Sequence, residues 1–115
     1  MDLDDNDRLR HIRDAIRKIQ GHFDADGPAA FARDAFAVDG HVRNLLIVGE
    51  AAYKPTETGR AAVPGVPWSQ IARMRHRLVH DYFDVDVEMV YVTIRDDLPP
   101  LLEAVERVLS TRGAD

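Results

Sequence analysis

Residues 67–83 read PWSQIARMRHRLVHDYF, and this stretch combines a helical apolar pattern with a dense group of cationic side chains. Large apolar or aromatic residues recur along it at spacings of three and four, namely Trp68, Ile71, Met74, Leu78 and Tyr82. Because 3.6 residues make one turn, the spacing puts them on one face and predicts a helix from about Pro67 to Phe83. Three arginines and two histidines stand between those positions, so the rest of the helix is strongly polar.

Upstream, the sequence predicts a loop and, before it, a long helix. Residues 55–67 hold three prolines and two glycines, which favours an irregular connection. From about Asp34 to Lys54 a second helical stripe contains Val38, Val42, Leu45, Leu46, Gly49 and Ala52. Gly49 and Ala52 are small enough to let another helix approach closely.

The sequence of the N-terminal third predicts one more long helix and then a short one. The apolar stripe of the long helix consists of Leu9, Ile12, Ile16, Ile19 and Phe23. Asp4, Asp5 and Asp7 suit the start of that helix, where negative charge is favourable. Asp26-Gly27-Pro28 reads as a turn, with Pro28 at the first position of the short helix.

The C-terminal third predicts two further helices. Asp84 and Asp86 are candidate N-caps for a helix whose stripe is Val87, Val90, Tyr91, Ile94 and Leu98. Asp97 is the candidate cap of the last helix, with Pro99 and Pro100 in its first turn. Many β-branched residues in 84–94 leave a strand there as the weaker alternative. Together, these helical patterns predict one all-α domain, residues 1–115, built as a bundle of four or five helices.

Composition limits the classes of protein to which the chain can belong. It has 115 residues, no cysteine and a formal net charge of −5, which fits one folded domain without disulfides or thiolate metal sites. The N-terminus is acidic rather than signal-like, and no apolar run is long enough for a membrane span, so we expect a cytoplasmic protein. An acidic chain binds nucleic acid poorly unless it carries a local basic patch.

Residues 73–83 offer such a patch, with a geometry that indicates an interface. His76 and His80 are four residues apart and share a helix face, and Arg75 shares another with Tyr82. Arg75 and His80 are separated by roughly 140° around an ideal helix, so they do not lie side by side. A cleft against a second helix would be needed to bring both groups to one ligand.

Arginine and histidine together suffice for cleavage of RNA without a metal ion. Arginine presents a fork of donors to phosphate oxygens, and histidine, which titrates near neutral pH, can move the proton of a 2′-hydroxyl or of the leaving oxygen. Simpler interpretations fit the same residues. Arg77 and Asp81 fit a solvated ion pair, Tyr82 fits a core residue, and His76 with His80 fits an HxxxH metal pair that has no obvious third ligand.

The segment Arg75-His76-Arg77-Leu78-Val79-His80-Asp81-Tyr82 resembles the R-x4-H-x-Y motif of HepT-type toxins in the HEPN superfamily of ribonucleases. HVRNLLIVGEAA (41–52), PWSQIARMR (67–75) and DDLPPLLEAVE (96–106) are similar to segments of that family in the same order. The resemblance therefore extends over most of the chain from about residue 34.

The resemblance implies a dimeric HEPN-like helical bundle that cleaves RNA, without a metal or other cofactor, at a cleft between the two chains. Arg75 and His80 would be the catalytic pair of this toxin. A cognate minimal nucleotidyltransferase of the MntA type would be the antitoxin and would silence the toxin by attaching AMP to Tyr82. Many members have Asn where this chain has His76, which would be a supporting residue or a rival proton-transfer group.

The alternative class is a non-catalytic interaction module. In that case the helical dimer would bind a nucleotidyltransferase partner or a nucleotide, and would not cut RNA.

Overall fold

The computed structural model describes residues 4–53, 65–80 and 85–114, and for residue 53 the backbone alone. Every regular element in those ranges is helical, which confirms the predicted all-α fold. In chain order the elements are α1 (Asp5–His22), α2 (Pro28–Ala32), α3 (Ala35–Tyr53), α4 (Trp68–His80), α5 (Val87–Val92), a π-helix (Thr93–Asp97) and α6 (Leu98–Thr111). None of the helices in the described part of the chain is both long and apolar enough to cross a bilayer.

Aspartate side chains cap the N-termini of three helices. The Asp4 carboxylate accepts a hydrogen bond from the backbone N–H of Asp7 at 2.7 Å, at the start of α1. Asp34 does the same for Ala37 of α3 at 3.0 Å, and Asp86 for Met89 of α5 at 3.1 Å. Each satisfies an N–H that has no partner within its own helix. The other candidate cap of α5, residue 84, lies outside the described residues.

Helix α3 is central to the bundle, because it packs against both α1 and α4, while α1 also packs against α6. The predicted apolar stripes form the core, whose fully buried members include Leu9, Ile12, Ile16, Ile19, Leu45 and Val48. On α4, Ile71 and Leu78 are buried, and Trp68 and Met74 are partly buried against the same core. The apolar stripe of α4 therefore faces the core, and the arginines and histidines of α4 lie on its other faces.

The C-terminal segment differs from the prediction at Asp97, which does not cap a separate helix. Asp97 has helical backbone angles and makes no side-chain cap hydrogen bond, so the chain runs on from α5 through the π-helix into α6. Pro99 and Pro100 lack the N–H groups that would bond the carbonyls four residues earlier, and their rings crowd those carbonyls. The wider π turn relieves this, with the N–H of Leu98 donating to Thr93 five residues back. The strand alternative for 84–94 is wrong wherever this segment is described.

An aromatic cluster closes the bundle beside α2. The rings of Phe23, Phe31 and Tyr91 have centroids between 5.2 and 5.6 Å apart, and the Tyr91 hydroxyl donates to the carbonyl of Ala25 at 3.0 Å. The ring of His41 is buried and stacks on Phe31 at 5.5 Å. The sequence suggests no role for His41, and its burial makes it a core residue.

We predict that acid destabilises the protein through His41. Burial lowers the pKa of His41, and a hydrogen bond to the backbone of His22 opposes this without reversing it. As the pH falls through the ordinary histidine range, near 6.5, the unfolded chain binds this proton before the folded chain does, so the free energy of unfolding decreases. Urea unfolding at pH 7.5 and 5.5 should show a smaller loss for His41→Phe than for wild type. His11→Phe, at an exposed position on α1, should keep the full loss.

Candidate active site

Helix α4 presents Arg75 to α3 rather than to open solvent. The Nε of Arg75 donates to Oε2 of Glu50 at 3.2 Å, and the Arg75 side chain is only 28% exposed. Glu50 lies 25 residues earlier in the chain, on α3. The ion pair therefore joins the two helices at the position of the predicted catalytic arginine.

The stem of Arg75 lies directly on the backbone of α3 at Gly49. A Cβ atom added to Gly49 would stand 2.5 Å from the Cβ of Arg75, 2.9 Å from its Cγ and 3.3 Å from its Cα. Only a residue without a side chain permits such an approach. The prediction that Gly49 lets another helix come close is thus supported, and that helix is α4.

The two histidines of α4 lie together on an exposed part of the helix. The ring centroids of His76 and His80 are 4.1 Å apart, with the ring planes inclined at 49°, and both residues are exposed. Their contact is the one expected for residues four apart on a helix. Within one chain, Arg75 is held against α3 while His80 is held beside His76.

The other cations of α4 are placed differently. Arg77 lines a shallow groove together with three acidic residues, Asp86, Glu88 and Asp97. The negative charge of these carboxylates would repel a phosphodiester, so Arg77 is not expected to bind one in this groove. The predicted ion pair between Arg77 and residue 81, and the predicted role of Tyr82, involve residues that the structure does not describe.

The histidine pair does not amount to a metal site in the described part of the chain. No group of three or more histidine, aspartate, glutamate or cysteine side chains suited to a metal ion occurs there. The chemistry available from the described residues is a guanidinium fixed by a carboxylate, with two exposed imidazoles on the same helix. The sequence pattern singles out Arg75, His76, His80 and Gly49 but not Glu50, whose local signal is its place next to Gly49.

Comparison with known proteins points to one family. The model of the family described as "Ribonuclease HepT-like" matches residues 12–108, which include both α3 and α4. The chain is 35% identical over 79 residues to a candidate RNase of Caldanaerobacter subterraneus subsp. tengcongensis, covering 69% of this chain and 70% of that protein.

Two further relatives match as well. Identity is 37% over 67 residues with "Probable ribonuclease HepT" of Thermococcus cleftensis, covering 58% of this chain and 61% of that one. It is 28% over 101 residues with a Methanocaldococcus jannaschii protein described as a gamma-glutamylcyclotransferase and candidate RNase, covering 88% of this chain and 46% of the relative. The chain thus spans only part of these relatives. No solved structure matches it.

Proposed function

We propose that this chain, which belongs to the HepT-like ribonuclease family, is a metal-independent endoribonuclease with Arg75 and His80 as its catalytic pair. The observation that carries this proposal is the fixed position of Arg75. Its stem packs on Gly49 and its Nε binds Glu50, while the imidazoles of His76 and His80 on the same helix are exposed to solvent.

The proposed reaction is an internal transfer at phosphorus. The 2′-hydroxyl oxygen of RNA attacks the adjacent phosphorus, its proton passes to an imidazole, and the bond from phosphorus to the 5′-oxygen breaks. The leaving oxygen takes a proton, and the products end in a 2′,3′-cyclic phosphate and a 5′-hydroxyl. Arg75 stabilises the charge that develops on the phosphoryl oxygens, and His80 moves one of the protons. His76 supports His80 through the ring contact, or moves the other proton, so that one group accepts the 2′-hydroxyl proton and the other donates a proton to the leaving oxygen.

We expect the purified protein to cut RNA in the presence of EDTA and to leave 2′,3′-cyclic phosphate ends. A strand with deoxyribose at the cut position should resist, because it lacks the nucleophile. Mass spectrometry of the fragments identifies the ends. Activity that EDTA abolishes, or cleavage of the deoxy strand, would contradict the mechanism. An intact RNA with wild-type protein would favour the non-catalytic interaction module.

The proposed site is completed by a second copy of the chain. One chain holds Arg75 against α3 and His80 beside His76, so a dimer cleft is the simplest way to bring an arginine and a histidine to one phosphate. Val79 lies between the two histidines in the sequence and is 44% exposed, and Phe36 at the start of α3 is 88% exposed. In such a dimer we expect the second chain to cover Val79, because it lies on the helix that carries both histidines.

We further propose that this protein is the toxin of a cytoplasmic toxin–antitoxin pair whose antitoxin is a minimal nucleotidyltransferase. The antitoxin would attach AMP to Tyr82. The phenol oxygen would bond to the α-phosphorus of ATP, pyrophosphate would leave, and the phenol proton would be lost. The added phosphate would compete with RNA for Arg75, and the adenosine would block the cleft.

Tyr82→Phe tests this regulation because it keeps the ring and removes the nucleophilic oxygen. We expect a folded ribonuclease that the antitoxin no longer silences by modification. Mass spectrometry after co-expression should show added AMP on wild type and none on the variant. AMP on another residue, or normal silencing of Tyr82→Phe, would remove Tyr82 from this role.

A further inference from the structure

Two successive residues of α3 hold Arg75 at both ends of its side chain. Gly49 receives the stem, whose Cβ would be 2.5 Å from a Cβ at position 49, and Glu50 receives the Nε of the head at 3.2 Å. An arginine held at its stem and its head has few conformations open to it. An arginine side chain without such contacts samples many conformations.

The ion pair itself contributes little to stability. The side chains of Arg75 and Glu50 are 28% and 48% exposed, and solvent screens the attraction between charges that are exposed to this degree. Its geometric effect is larger. A carboxylate bound at Nε fixes the plane of the guanidinium. A guanidinium held in one plane can donate hydrogen bonds to a phosphate in a fixed direction.

We propose that Glu50 is a positioning residue, whose carboxylate orients the guanidinium of Arg75 toward the phosphate of bound RNA. This inference rests on the proposed role of Arg75 in RNA cleavage. The competing explanations are that the pair is an ordinary surface contact, or that Glu50 serves mainly to repel RNA. The three explanations differ in what they predict for substitutions at Glu50.

Kinetics of Glu50→Gln and Glu50→Ala separate these explanations. Gln keeps an acceptor oxygen at the same reach, whereas Ala removes it. We expect Glu50→Ala to lower kcat about 10-fold with KM changed by less than about 3-fold, because small displacements of a catalytic group cost mainly in the transition state. Glu50→Gln should stay within about 3-fold of wild type in both constants, since it keeps the hydrogen bond.

Glu106→Ala is the matched control. Glu106 accepts from Nη2 of Arg17 at 3.1 Å, and its side chain is 43% exposed, so it resembles Glu50 in charge, partner and exposure, but it lies on α6. Its removal should leave kcat unchanged. The proposal is overturned if Glu50→Ala cleaves as fast as wild type, if it cleaves faster, or if Glu106→Ala loses as much activity.

A measurement that does not depend on cleavage keeps this inference separate from the proposed function. In a ¹H–¹⁵N spectrum, the Nε–H signal of Arg75 should be slow to exchange in wild type and in Glu50→Gln. In Glu50→Ala it should exchange faster, while the signal of Arg17 stays as it was. If wild type cuts no RNA, the proposed function fails, yet this spectrum still reports whether Glu50 orders Arg75. An unchanged Arg75 signal in Glu50→Ala would overturn the positioning role.

Discussion

Arg75→Ala and His80→Ala are each expected to lower the rate of RNA cleavage by about 10²- to 10⁴-fold, the range typical of losing a positioned catalytic group. Arg75→Ala removes the cation that would meet the developing charge, and His80→Ala removes a proton carrier. Neither should unfold the protein, because His80 is exposed and the Arg75 ion pair is partly exposed. Rates with a defined RNA, together with circular dichroism for each variant, test both statements.

Two neighbouring residues provide controls on the same helix. Arg73 is an exposed arginine of α4, so Arg73→Ala changes the net charge by the same amount as Arg75→Ala and should cost little. His76→Ala keeps His80 and tests whether the second imidazole is needed. Full activity in both Arg75→Ala and His80→Ala would exclude the R-x4-H mechanism. Activity lost in His76→Ala and retained in His80→Ala would transfer the proton-carrying role to His76.

The same variants test whether the site lies between two chains. If one site takes Arg75 from one protomer and His80 from its partner, then mixing Arg75→Ala with His80→Ala protein forms dimers that contain one intact site. Activity should then rise well above that of either variant alone. A mixture that stays inactive, although the chains exchange, would show that Arg75 and His80 of the same chain act together.

Most of the fold follows from local pattern. The stripes of α1 and α3 are buried or partly buried as their periodicity predicts, and Pro28 starts α2 as its fixed φ predicts. The junction at Asp97 does not follow from pattern. An aspartate before two prolines is typical of a helix start, but Thr93 and Ile94 are buried, so packing keeps the chain helical through the junction. The π-helix lets Thr93 and Ile94 stay buried although Pro99 and Pro100 have no N–H groups to donate.

The site was predictable only where it depends on a single helix. The spacing of His76 and His80 predicts their contact, and the small size of Gly49 predicts that a helix could approach there. The pairing of Arg75 with Glu50 joins residues that are 25 positions apart and on different helices. Such a contact depends on how α3 and α4 rotate about their axes, which no local pattern specifies.

Gly49→Ala is expected to destabilise the protein by about 1–3 kcal/mol, the usual cost of forcing extra atoms into a packed contact. The added Cβ would meet the Cβ and Cα of Arg75 at 2.5 and 3.3 Å. Neither atom can move by changing a side-chain rotamer, so α4 itself must shift away from α3. That shift also moves the guanidinium away from Glu50, and we expect cleavage to fall along with the midpoint of thermal unfolding.

Gly40→Ala is the matched control for this effect. Gly40 lies on the same helix, and a Cβ added there has no neighbouring atom within 4 Å. Alanine is favoured over glycine inside a helix by about 0.5–1 kcal/mol, so Gly40→Ala should raise the unfolding midpoint and leave cleavage unchanged. The two substitutions are chemically identical, and their opposite signs would come only from the contact between α3 and Arg75. If Gly49→Ala is as stable and active as Gly40→Ala, α4 does not lie on Gly49 as described, and the support it gives to Arg75 is lost.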